Sequence, residues 1–299
     1  MERYLPAKQG LGSGNNRNLR APGKLPAVIL GVVVLGLCHG LPSLGQEDAK
    51  TLSLNTLSLE VEALQTLQQF DFTKTQLEKL QQMAVGTVPK DQNRKAGKAS
   101  KGFREKLQTL RKALMDAKDD ERISKLSDEL DALRDKEKPV LDDHVDITDA
   151  ARKRTAEAFR LLRPSQLAFY IAHIADNIDD PLDHLIESLD DARAMTEEEW
   201  KEQRDEIGED ISRLAVGLDP VKSKAMSDQI GSLLARARKL TKVEFQKQQA
   251  DLRKAARKII GDISAVDVLR HQVEVDLATL LSNPRLPQAL RARLAIEQK

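Results

Sequence analysis

The chain has 299 residues, 48 Lys and Arg against 47 Asp and Glu, a formal net charge of +1, and only 3% aromatic residues. Its single cysteine, Cys38, lies near the front, which excludes a disulfide framework or a Cys-ligated metal in the rest of the chain. With so few aromatics, Leu, Ile, Val and Ala must fill the interior; together with abundant Lys, Glu and Arg, that favours helices over a β-sandwich.

The front of the chain has the order of a secretory signal peptide. Arg3, Lys8, Arg17, Arg20 and Lys24 precede an apolar run from Ala27 to Cys38, and the small-residue site Ser43-Leu44-Gly45 stands before Gln46. The run is too short to span a bilayer, for which about 18 apolar residues are needed. Cleavage is expected between Gly45 and Gln46, which places residues 46–299 in the periplasm or outside the cell. Two alternatives remain open: an uncleaved N-terminal anchor, and lipidation at Cys38, where Leu37 departs from the small residue a lipobox wants. Removal of the leader leaves 43 basic and 46 acidic residues.

Residues 46–56 read as a mobile start, and residues 57–175 as an N-terminal helical region. Leu57, Val61, Leu64, Leu67 and Phe70 recur every three or four residues along one helix face. A second helix carries Leu77, Leu80 and Met83. Residues 86–102 lack apolar periodicity and read as a loop. From Phe103 to Lys138 a stripe of Leu107, Leu110, Leu114, Ile123, Leu126, Leu130 and Leu133 predicts the longest helical element, coiled-coil-like, unbroken or with a slip near Asp119-Asp120. Pro139 ends it. Thr148 caps the next helix, and Pro164 opens the one after.

Residues 176–299 form a second helical region. Asp180-Pro181 opens its first helix, and further starts are expected near Thr196, Asp219, Thr241 and Ser264, with a last short helix after Pro287. The expected fold is therefore an all-α multi-helix bundle. Charge is sorted along it: residues 90–112 carry net +7, residues 176–210 net −12 and residues 222–258 net +8. Antiparallel packing of acidic beside basic helices would satisfy these blocks internally; exposed blocks would instead draw charged partners.

One helix-start pattern recurs. Phe72-Thr73-Lys74-Thr75-Gln76-Leu77 is echoed by Leu162-Arg163-Pro164-Ser165-Gln166-Leu167. Looser copies carry Thr196 with Glu199 before Trp200, and Thr241 with Glu244 before Phe245. A Thr at the N-cap accepts from the third backbone N–H, while Gln or Glu three residues on reaches back to the N-cap N–H. Capping of this kind stabilises a helix by about 1 kcal/mol and by itself accounts for the pattern. Arg163 cannot supply the short cap oxygen.

The first two copies also resemble the LTxxQ motif of the Spy/CpxP group of small periplasmic helical proteins. Thr73 and Gln76 match one motif, with Phe72 in place of its Leu; Leu162 and Gln166 match the second, with Arg163 in place of its Thr. The resemblance spans about residues 57–175 and implies an exported helical protein that acts as an ATP-independent chaperone or a modulator of envelope stress.

Chemistry for catalysis is not found. There is no Gly-rich phosphate loop, no G-x-S-x-G and no H-E-x-x-H. His144, His173, His184 and His271 are the histidines behind the leader, and Asp180, His184 and Glu187 share helical spacing, but the paired Glu-x-x-His helices of a di-iron bundle are missing. Two basic segments favour nucleic acid, but export and the lack of stacking aromatics count against it. No catalytic, metal-ligating or cofactor-binding residue is expected and no cofactor. The expected function is non-enzymatic contact with protein partners, as an envelope chaperone, stress modulator or scaffold, with a metal or ligand sensor as the alternative. A membrane is expected to be met only through an uncleaved leader.

Overall fold

The computed structural model describes residues 52–89, 94–116, 119–175, 178 and 180–296. The leader and the expected cleavage at Gly45-Gln46 lie outside them. Among the described residues the fold is all-α, with twelve helices and no strand beyond one isolated antiparallel bridge between Lys98 and Val140. None of these helices is long and apolar enough to cross a membrane.

The helices build two hydrophobic cores. The first is made by α1 (Leu54–Gln69), α2 (Lys74–Thr87), α3 (Lys101–Asp116), α4 (Asp120–Glu137), α5 (Asp149–Phe159) and α6 (Pro164–Ile174). The second is made by α7 (Pro181–Ala194), α8 (Glu197–Val216), α9 (Pro220–Arg238) and α10 (Lys242–Ile260). The remaining two, α11 (Ala265–Ser282) and α12 (Leu286–Ile296), return to the first core, where Val273, Leu277, Leu281, Leu286 and Leu290 are buried.

That return ties the end of the second helical region, 176–299, to the first core. Its cause is visible at the crossing of α1, α3 and α12. Glu60 is 2% exposed and accepts from Arg111 at 2.7 Å and from Arg285 at 3.1 Å. Asn283 donates to the Leu59 carbonyl at 3.0 Å. A buried carboxylate needs such partners, so the C-terminal helices are held by a polar lock as well as by apolar packing. The cores meet where α8 packs on α11. There His271 Nδ1 lies 3.0 Å from the Leu214 carbonyl. Gly217, at φ +67°, closes α8 against the same ring; a Cβ would come within 2.9 Å of it.

Three expectations change. The stripe from Phe103 to Lys138 is two helices packed side by side, not one long element. Asp119 is the reason: its carboxylate accepts from the Arg122 N–H at 2.9 Å and starts α4 afresh. Among the described residues the longest helix is α8, at 20 residues. The first helix begins at Leu54, capped by Ser53, and buries Leu52 and Leu54, so the start expected to be mobile is ordered from there. The loop before α3 is tied down: Asn55 donates to the Lys95 carbonyl, the Lys95 N–H donates to Asp142 at 2.7 Å, and Arg94 bonds the carbonyls of Asp142 and His144. Helix starts at Thr148, Asp180, Thr196, Asp219, Thr241 and Ser264 stand where the sequence puts them.

Candidate functional site

Each motif copy begins a helix, and the four copies meet in pairs. In the first core, α1 and α2 are joined by Phe70-Asp71-Phe72, a turn closed by Asp71 donating to the Gln68 carbonyl at 2.9 Å with φ +48° at Asp71. Gln76 then reaches back, its Oε1 accepting from the Thr73 N–H at 2.8 Å. Gln166 does the same for the Arg163 N–H at 2.9 Å. Both amides are buried, at 7% and 6% exposure.

The other end of each amide crosses to its partner. Gln76 Nε2 donates to Gln166 Oε1 at 2.9 Å, and Gln166 Nε2 to Gln76 Oε1 at 3.1 Å. Each also donates to the chain just ahead of the other motif: Gln76 to the Leu161 carbonyl, and Gln166 to the carbonyls of Phe70, at 3.1 Å, and Asp71. The side chain that caps its own helix thus fastens the opposite turn. Phe70 stacks on Tyr170 with ring centroids 3.9 Å apart, and the Tyr170 hydroxyl donates to Asp276 of α11 at 2.6 Å. Burial pushes Asp276 up to about 6 despite the bonds from Tyr170 and Gln272, and burial with the adjacent carboxylate pushes the Tyr170 phenol up as well. Leu162 packs, half-buried, against the core at this joint.

The second pair uses other chemistry. Glu199 accepts from the Thr196 N–H at 2.7 Å, and Glu244 from the Thr241 N–H at 2.9 Å. Bonds from these backbone and hydroxyl groups hold both carboxyls below the usual range. A carboxylate has no hydrogen to offer across the joint, and two of them would repel. Arginine takes over. Arg238 donates to the Ala192 and Met195 carbonyls at 3.0 and 2.6 Å, just ahead of the Thr196 motif, pairs with Glu197 at 3.2 Å and lies 5.4 Å from the Trp200 ring centroid. Arg193 lies 5.6 Å from the Phe245 centroid. The exchange is reciprocal, since each Arg stands three residues before its own Thr and covers the aromatic after the other motif's Glu.

The Thr and Gln or Glu pairs expected from the sequence are therefore local caps, and the structure brings Gln76 and Gln166 into direct contact. One detail differs: the Thr73 hydroxyl donates to Gln76 Oε1 at 3.0 Å and meets the third helical N–H more loosely than Thr196 and Thr241, which accept that bond at 3.3 Å. Sequence reasoning missed Arg193 and Arg238, although the repeated spacing Arg-x-x-Thr-x-x-Glu-aromatic was there to be read.

Other concave features lie apart. A cavity of about 310 Å³ opens among Ser58, Glu62, Asp131, Arg134, Asp143 and His144. Burial, then the nearby Asp143, pushes Glu62 up to about 7, against the opposing pull of Arg134. A shallower groove of about 680 Å³ runs between α8 and α9, floored by Ser223, Ser227 and Gly231. Among the described residues no group of three His, Cys, Asp or Glu side chains is placed to hold a metal ion. No protein-family model matches the chain, and no curated protein or solved structure matches it.

Proposed function

We propose that the chain is an exported, non-enzymatic helical protein that works by contact with other proteins, as an envelope chaperone, stress modulator or scaffold. The observation that carries this is the joint at Gln76 and Gln166. Two motifs 90 positions apart supply each other's hydrogen bonds, so the motif is a fastening between helical hairpins, and helix faces held this way can serve as contact surfaces. The resemblance to the Spy/CpxP group supports the same reading, and the Arg-fastened pair in the second core extends the plan to a region the resemblance does not cover.

The experiment has two parts. Fractionation of expressing cells with N-terminal sequencing tests export: a mature start near Gln46 is expected, and intact Met1 in the soluble cytoplasm overturns the compartment. An aggregation assay with a chemically denatured client, without ATP, tests activity: suppression should rise stoichiometrically with this protein. No suppression, together with no partner recovered by affinity capture from the envelope fraction, overturns the contact reading.

A further inference from the structure

Few direct ion pairs join the charge blocks to one another. Among the described residues a single ion pair, Arg238 with Glu197, links the acidic segment 176–210 to the basic segment 222–258. The other pairs in these segments are local, such as Asp190 with Arg193, Glu209 with Arg213 and Lys224 with Asp228. The acidic helices α7 and α8 do pack beside the basic α9 and α10, yet few of their charges meet directly.

What remains is two rows of opposite sign on adjacent helices. α10 packs on α7 and α9 with one face, burying Phe245, Leu252, Ala256 and Ile260. Its outer face carries Lys247, Arg253, Lys254, Arg257 and Lys258, all exposed and in no ion pair among the described residues. The row spans twelve positions, about 16 Å at 1.5 Å per residue step. Asp251 is the lone carboxylate within it. On α7, Asp183, Glu187 and Asp191 follow one another at four-residue spacing, exposed and likewise outside any ion pair among the described residues, over about 12 Å.

We propose that these two rows form a self-complementary surface through which two copies of the chain associate. A two-fold axis along the seam between α7 and α10 sets the acidic row of each copy against the basic row of the other, so one patch makes both halves of an isologous contact. Opposite charges exposed on two helices that pack together are what singles out a second copy. An anionic bilayer or a nucleic acid meeting α10 would also meet the carboxylates of α7, and α10 exposes no aromatic for base stacking and only Val243 and Ala250 as apolar contacts. Rows this short bury less than a standard interface of about 1,600 Å², so the dimer is weak and sensitive to salt. The proposal does not depend on the chaperone reading.

Sedimentation velocity of the full chain tests it. A dimer is expected at about 10 mM salt, where charges act over about 30 Å, and a monomer near 1 M, where the range falls to about 3 Å. Lys247→Glu/Lys254→Glu and Glu187→Lys/Asp191→Lys should each be monomeric at low salt. An equimolar mixture of the two should recover the dimer, because each reversed row then meets its opposite. All four positions are exposed, and unchanged far-UV circular dichroism verifies the fold of each variant. A wild-type monomer at low salt, a dimer that survives either double reversal, or no recovery on mixing overturns the proposal. Flotation of a monomeric wild-type chain with phosphatidylglycerol vesicles would overturn it in favour of a membrane surface.

Discussion

The two motif joints solve one problem with different side chains. In the first core, a Gln offers a carbonyl to its own helix start and an amide N–H₂ to the opposite turn, and the pair is dry. In the second, a Glu makes the local bond alone, and an Arg from the preceding helix makes the crossing one over an aromatic face. The difference follows from donor inventory. Replacing Gln by Glu removes two N–H donors and adds a charge; an Arg restores donors and balances that charge. The first joint gains from burial, where a satisfied network is strong and a broken one costly. The second stays partly wet, where each contact is cheaper to lose.

The largest expected effect breaks the buried joint. Gln166→Leu removes the bonds to the Arg163 N–H, to the Phe70 and Asp71 carbonyls and to Gln76. Leaving such groups unpaired costs about 1–3 kcal/mol each, so a loss of about 3 kcal/mol is expected in chemical denaturation. Arg238→Ala should cost less, about 1–2 kcal/mol, because its partners regain water and a cation–π contact is worth about 0.5–1 kcal/mol at a wet site. Trp200, the only tryptophan, reports that variant directly by fluorescence. Equal losses at the two joints would show that burial does not set the difference.

Acidity pulls the two regions in opposite directions. Glu62 is raised to about 7 by burial and Asp276 to about 6 by burial, both above the ordinary carboxylate range. The folded state thus holds these protons more tightly than the unfolded chain. Stability from the first core is full below the unfolded values and is lost as pH climbs through the folded ones, so it should increase from about pH 8 to about pH 5.5. Glu199 and Glu244 are held low by bonds from their own caps. Their contribution is present above the unfolded value and disappears as pH falls through the folded one, below the ordinary carboxylate range. Denaturation midpoints across this range should rise and then fall on acidification, and Glu62→Gln should flatten the upper limb alone. A midpoint that declines steadily from pH 8 downward would contradict the burial of Glu62.

Helix existence and the caps at Thr148, Asp180, Asp219 and Ser264 were legible because they are local: a short polar side chain, then apolar residues every three or four. Partnership was not. The stripe on α11 says that Val273, Leu277 and Leu281 are buried, but not that they return past the second core to meet α1 and α12. Nothing in Gln76 or Gln166 alone announces that they touch across 90 positions. The division of α3 from α4 turns on one carboxylate choosing the Arg122 N–H, a competition that periodicity cannot decide. The anchoring of the loop around Lys95 rests on Asn55 and Asp142, residues that no spacing rule joins to it.

The smallest effects concern the threonines, and they sharpen the comparison most finely. Thr196 and Thr241 each do two things: the hydroxyl accepts from the third helical N–H at 3.3 Å and donates to the Glu carboxylate, at 2.8 and 2.7 Å. Thr73 does the second and makes the first only loosely, and its acceptor, Gln76 Oε1, keeps bonds from the Thr73 N–H and from Gln166. Thr196→Ala and Thr241→Ala should therefore each cost about 1 kcal/mol, and Thr73→Ala about 0.5 kcal/mol, the lower end for a lost cap. The two kinds of joint also separate by pH. Removing the hydroxyl at Thr196 or Thr241 lets the neighbouring carboxyl rise toward its ordinary value, so those variants should lose part of the destabilisation at acid pH. Thr73→Ala leaves an uncharged amide behind and should track the parent at every pH. A Thr73→Ala loss larger than that of Thr241→Ala would mean that the hydroxyl holds the amide pair in register, making it part of the fastening and not of the helix start.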